Sequence, residues 1–159
     1  MRTFDELVPA WDQTLSSTGG CTSQRFQCVM SSQAVLDRET GVVWQRTPRT
    51  VLFTPWNTSV EECALATTGG RKGWRAPTLS EAESLLDPAI TGANQLFAGN
   101  PFIVDPALVG TFFATSRSRT DTLGKLFRLD GQAAAIVKTD TTFNFGIWCV
   151  RGTDGENGG

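Results

Sequence analysis

Between residues 116 and 130 the chain carries Arg117, Arg119, Lys125 and Arg128 against Asp121 and Asp130. That is a local surplus of two positive charges in a chain whose net charge is −2. Arginine offers a planar fork of donors that matches carboxylate, sulfate or phosphate in two-point contacts. These four cations are therefore the candidate ligand-binding set, and their chemistry is that of an anion clamp. The plain alternative is a set of solvated hairpin charges. Eleven of the 14 basic residues are Arg, the lysines being Lys72, Lys125 and Lys138. With 14 basic side chains against 16 acidic ones, the chain lacks the basic excess of a nucleic-acid binder. No nucleic-acid partner is expected.

Catalysis has few residue types to draw on. The chain has no histidine, which removes the commonest general base and the commonest transition-metal ligand. It has no tyrosine either. Glu81 and Glu83 stand two apart on a predicted helix, where their side chains diverge, so they do not form an acid/base pair. No Glu-Pro-Asn or Trp-Asn-Asp run offers calcium the clustered oxygen ligands it needs, and Asp140 and Asn144 are isolated. No metal and no cofactor are expected. Trp74 and Arg75 precede a capped helix and read as core and hinge residues.

The four cysteines are Cys21, Cys28, Cys63 and Cys149. They contain no CxxC spacing, so neither a thioredoxin motif nor a four-cysteine zinc pattern is present. An even count in a small chain reads as two disulfides, for which sequence leaves three pairings. The expected pairing is Cys21 with Cys28, a short staple, and Cys63 with Cys149, a long one. Two bridges imply an oxidising compartment, that is, an extracellular, cell-surface or periplasmic setting, or a virion exterior. The opening MRTFDELVPAW lacks an apolar core and does not read as a signal peptide. If the protein is exported, this chain is expected to be either a mature form or one from which the signal is missing.

Length and composition set the frame for these groups. The chain has 159 residues with 40% apolar content, enough for one folded domain. No stretch approaches the ~20 apolar residues of a membrane helix. Residues 1–32 are polar and irregular and read as an N-terminal arm carrying the Cys21 and Cys28 staple. Residues 33–152 read as the domain proper, and 153–159 as a flexible tail.

Within the domain, AVLD at 34–37 and VVWQR at 42–46 flank a short polar turn ending in Gly41, a hairpin signal. Thr54 and Pro55 read as cap and first residue of a helix. Trp56, Val60, Cys63 and Ala64 form its buried stripe, and Gly69 and Gly70 its end. The sequon at Asn57 falls inside that helix and reads as chance. Thr78 and Glu81 form a capping box ahead of Ala82, Leu85 and Leu86, and Asp87 and Pro88 end this second helix. A long ordered loop follows over 88–110, anchored by Phe97 and Phe102. Strands are expected at 111–115, 123–129, 132–138 and 145–151, with Asp130 and Gly131 as a two-residue turn. The fold class is α+β, with two helices packed on a twisted antiparallel sheet.

Several of these segments match one family in order. They are AVLDRETGVVWQRTP, TPW with a cysteine seven residues on, GGRKGWRAPT, SLLDPA, NPF and IWCVRG. Together they resemble the Legionella collagen-like protein C-terminal domain family, bacterial secreted or surface domains, over about residues 25–152. The segment GWRAPTLSEAE also resembles the signature of formylglycine-generating-enzyme relatives. The resemblance implies a C-type-lectin-like fold, in which a bridge from the first helix to the last strand is usual; that agrees with Cys63 to Cys149. Two departures stand out. FFATS at 112–116 replaces an aromatic-Trp-Ser-Ser run, and 123–138 lacks the Tyr and Trp often found there. If those aromatics stack on sugars in relatives, that surface is reduced here.

The expected function is a non-catalytic extracellular binding or adhesion module. It would present its loop and hairpin surface to an anionic polysaccharide or a surface protein. The family's namesake, an adhesin for sulfated polysaccharides, supports that ligand class. The alternative is a structural or receptor-binding component of a surface or virion assembly, using the arm for subunit contacts or self-association. An enzyme like the formylglycine generators is not expected, because those need a reactive cysteine pair near the C-terminal core and only Cys149 lies there.

Overall fold

The computed structural model describes residues 15–90, 94–115, 123–130, 136–138 and 142–152. In chain order the strands are β1 (Phe26–Val29), β2 (Ala34–Asp37), β3 (Val43–Gln45) and β4 (Arg49–Pro55). Helix α1 (Trp56–Ala64), β5 (Trp74–Arg75) and helix α2 (Leu79–Glu83) follow. The last strands are β6 (Phe113–Ala114), β7 (Leu123–Phe127), β8 (Ile136–Lys138), β9 (Thr142–Ile147) and β10 (Val150–Arg151). They form two five-stranded sheets, β1-β2-β3-β10-β5 and β4-β9-β6-β7-β8. The architecture is α+β, with two short helices on sheets that are antiparallel except where β6 meets β9 in parallel, Phe113 opposite Gly146.

The single expected sheet is thus two. The expected last strand over 145–151 breaks at Trp148 and Cys149, and the chain passes there from one sheet to the other. Side-chain and backbone bonding explains the break. The Cys149 N–H donates to Gln45 Oε1 at 3.1 Å and the Trp148 Nε1–H donates to the Gln45 carbonyl at 2.6 Å. Trp148 is thereby turned into the core, edge-on to Trp44 at 5.0 Å and to Phe102 at 4.9 Å between ring centroids. Phe102 and Phe97 do anchor the loop after α2: Phe102 packs against the main core, and Phe97 lies 5.3 Å from the Arg25 guanidinium.

The hairpin of β2 and β3 forms as its pattern predicts, with Val35 opposite Trp44. Residues 26–29, within the stretch expected to be irregular, form β1 and pair with β2 from Phe26 opposite Asp37 to Val29 opposite Ala34. The preceding residue supplies a buried anchor. Arg25 is 1% exposed and Asp37 0%, with Nε to Oδ1 and Nη2 to Oδ2 both at 2.9 Å. Arg25 Nη2 also donates to the Ser84 carbonyl at 2.8 Å, which ties the first strand to the end of α2.

Helix α2 starts as expected. The Thr78 hydroxyl accepts from the Glu81 N–H at 3.1 Å and Glu81 Oε1 from the Thr78 N–H at 2.9 Å. The helix stops at a Ser84 C-cap, short of Asp87. Glu81 is fully buried and also takes a two-point contact from Arg75, at 2.9 and 2.8 Å. Helix α1 differs more from expectation. Strand β4 runs through Thr54 to Pro55, so Pro55 is the N-cap and no side chain caps the helix. The helix ends at a Leu65 C-cap, and Thr68–Gly70 form a separate 3-10 turn. Of the expected stripe, Cys63 is buried and Val60 half-buried, but Ala64 is exposed.

Both disulfides form as expected, Cys21–Cys28 and Cys63–Cys149. The second joins α1 to the point where the chain changes sheet. Around it pack Ala34, Trp74, Ala76 and Ile147, a second cluster beside the main core.

Candidate functional site

Of the four cations singled out in the sequence, Arg117 and Arg119 lie outside the described residues. So does Asp121. Lys125 is described in its backbone alone, within β7 opposite Ile136. Leu123 lies opposite Lys138 in the β7 to β8 pairing, and Gly131 of the expected Asp130–Gly131 turn lies outside the described residues. Arg128 is described fully. Its Nη2 lies 2.5 Å from Asp130 Oδ2 and its guanidinium sits 5.1 Å from the Phe112 ring centroid. Arg128 is therefore seated by an aromatic face and an acidic neighbour.

The described surface holds another feature. An open cleft of about 290 Å³ is lined by Ser32, Gln33, Gln45, Arg46, Thr47, Thr68 and Ile103. One wall is the connection between β1 and β2, where Met30, Ser31 and Ser32 have φ of 54°, 55° and 65°. Three successive non-glycine residues in the left-handed region cost about 1–2 kcal/mol each. Such strain persists where the surroundings over-determine it. Here the β1 to β2 register closes the turn, and the Gln33 N–H donates to the Met30 carbonyl at 3.1 Å. Met30 packs so close to Gly69 that a Cβ there would lie 2.6 Å from its sulfur, and the Gly69 N–H donates to Gln33 Oε1 at 2.9 Å.

Gln45 forms the floor. Its Nε2 donates to the Thr68 hydroxyl at 2.8 Å and its Oε1 accepts from the Cys149 N–H. Arg46 joins the two walls. Its N–H donates to the Gln33 carbonyl at 3.1 Å, and its carbonyl accepts from the Ile103 N–H at 2.9 Å. The guanidinium donates through Nε to the Pro101 carbonyl at 2.8 Å and through Nη1 to the Ser32 carbonyl at 3.4 Å. Among the described residues it makes no ion pair, and Nη2 has no hydrogen-bond partner. The cleft therefore presents one cation, several hydroxyl and amide groups, and an exposed aliphatic side chain, Ile103.

Residue types give no warning of this cleft. The turn at 30–33 reads MSSQ, with no glycine or asparagine to signal a positive φ. Arg46 belongs to the VVWQRTP string, yet its openness depends on the distant Pro101 and Ser32 carbonyls that orient it. Trp74 is buried in β5, as a core residue should be, and Arg75 is held by Glu81. Among the described residues no group of three or more His, Cys, Asp or Glu gathers to hold a metal ion.

The model of the Lcl C-terminal domain family matches residues 33–151. The chain belongs to this family. The Lcl C-terminal domain match spans β2 to β10, and so both sheets, both helices and the Cys63–Cys149 bridge. It includes the segment with Arg117, Arg119, Lys125 and Arg128, and all of the cleft except Ser32. No curated protein and no solved structure matches the chain. No helix among the described residues is long and apolar enough to cross a membrane.

Proposed function

We propose that the chain is a non-catalytic, exported binding or adhesion module on a C-type-lectin-like scaffold, and that its ligand is an anionic glycan. The observation that carries this reading is the Cys63–Cys149 staple, which locks α1 to the junction of the two sheets. A scaffold fixed in this way leaves strand connections as the place for recognition. The bridge from α1 to Cys149, the residue just before the last strand, favours the C-type-lectin-like class. Two disulfides suit an extracellular, cell-surface or periplasmic setting. Membership of the Lcl C-terminal domain family favours adhesion. With no histidine in the chain and both cysteine pairs bridged, neither a histidine-based triad nor a thiolate nucleophile supports a catalytic reading.

In this reading Arg117, Arg119 and Lys125 supply the anion contacts, and Arg128, seated on Phe112 and Asp130, shapes their base. The test uses heparin as the sulfated probe and neutral dextran as control. Heparin binds and dextran does not. Changing Arg117 and Arg119 together to Ala weakens heparin binding about 10-fold or more. Raising the salt also weakens it. Equal heparin affinity in the double variant would sink the assignment.

A further inference from the structure

We propose that the cleft between the β1–β2 turn and residues 101–103 is a second, separate site, and that it takes one carboxylate-bearing sugar unit. The proposal does not rest on the 116–130 surface. Three features of the cleft carry it.

The first is Arg46. Its carbonyl contacts to Pro101 and Ser32 use Nε and one Nη1 hydrogen, which fixes the plane of the guanidinium. The remaining Nη donors are open among the described residues, and no acidic side chain lines the cleft. A guanidinium held flat by neutral acceptors keeps its full charge for a ligand. Its fork matches the planar geometry of a carboxylate. A single cation suits a single negative charge.

The second is the polar lining. The hydroxyls of Ser32, Thr47 and Thr68 and the amide of Gln33 offer both donors and acceptors. Gln33 Oε1 is engaged by Gly69, so its NH₂ group is the part left to donate. Such a set recognises ligand hydroxyls beside the carboxylate. The third is Ile103, which is 55% exposed. It offers an aliphatic wall of the kind that covers the C–H face of a sugar ring. A volume of about 290 Å³ lies at the small end of ligand pockets, which suits one ring rather than a polymer segment. The strained turn holds Ser32 and Gln33 in place before the ligand arrives, which reduces the ordering cost of binding.

The test follows backbone amide shifts by NMR in the full chain during titration with glucuronate, glucose and glucose 6-sulfate. Glucuronate is expected to shift the amides of Gln33, Arg46, Thr47, Thr68 and Ile103, with a dissociation constant on the order of 1 mM. Glucose does not shift them, and glucose 6-sulfate binds more weakly than glucuronate. Arg46→Lys keeps the charge, loses the fork and weakens binding about 10-fold. Ile103→Ala, at an exposed side chain that leaves the fold intact, weakens it about threefold. Shifts elsewhere, no shifts, equal affinity for glucose or glucose 6-sulfate, or unchanged binding by both variants would overturn the assignment. If Arg46→Lys fails to fold, the shift map and Ile103→Ala decide. The heparin assay on Arg117 and Arg119 reads the other surface, so each site can fail alone.

Discussion

Changing Asp37 to Asn should cost far more stability than a one-atom substitution suggests. Arg25 and Asp37 are 1% and 0% exposed and meet through two parallel contacts of 2.9 Å. With an effective dielectric of about 20, unit charges at that separation attract by about 6 kcal/mol. Desolvation of both ions offsets much of this, so the pair adds little net stability over a well-packed apolar pair. Removing one partner is different, because the other charge stays buried without its counter-charge. That loss is about 3–5 kcal/mol, a large part of the roughly 5–15 kcal/mol available to a domain. In the native chain Asp37 Oδ1 also accepts from the Glu39 N–H at 3.0 Å. The side-chain amide oxygen of the Asp37→Asn variant can still accept that bond, so the loss reports the ion pair rather than the turn. Urea unfolding of the disulfide-intact protein measures it. Asp37→Asn and Arg25→Met should each lower the unfolding free energy by about 3–5 kcal/mol. The double variant Arg25→Met with Asp37→Asn should lose less than the sum of the two single changes. A double variant that loses the sum of the two would show no coupling, and the reasoning would be wrong.

Gly146→Ala should destabilise by about 1–3 kcal/mol through overpacking, because a Cβ there would lie 2.7 Å from the buried Phe113 ring; an unchanged urea midpoint would contradict that close approach. Replacing Cys63 and Cys149 by Ala opens a bridge spanning 86 residues and should cost up to about 4.6 kcal/mol, against about 2.5 kcal/mol for the bridge spanning 7. Thermal unfolding that ranks the two losses the other way would reject chain entropy as the main term. Thr78→Ala removes the capping hydroxyl bonded to the Glu81 N–H and should cost about 1 kcal/mol. Thr78→Ser should restore most of it, and equal melting temperatures for Ala and Ser would dismiss the cap.

Local chemistry is legible in the sequence itself. The capping box at Thr78 and Glu81 needs three consecutive peptide units and two side chains, so its signal is complete in four residues. The β2 and β3 hairpin likewise carries its pattern and its turn in one short stretch. The cysteine pairing is open on residue spacing, with three ways to join four residues, and the family resemblance favours the pairing that forms. The proposed binding surface is much less legible. Arg128 reads as one of four free cations, yet Phe112 and Asp130 hold it.

Tertiary structure decided what depends on partners far along the chain. β1 lies in a polar stretch with a weak alternation of its own, and its strand comes with the pairing to β2 and the Arg25–Asp37 contact beside it. The break at Trp148 and Cys149 needs Gln45, about a hundred residues earlier, whose backbone and side chain hold both residues. Arg46 gains its open fork from the Ser32 and Pro101 carbonyls, and the left-handed turn beside it is held by Met30 on Gly69. Short-range hydrogen bonds and turn preferences write themselves in neighbouring residues, whereas burial and strain are set by contacts that exist once the whole chain has packed.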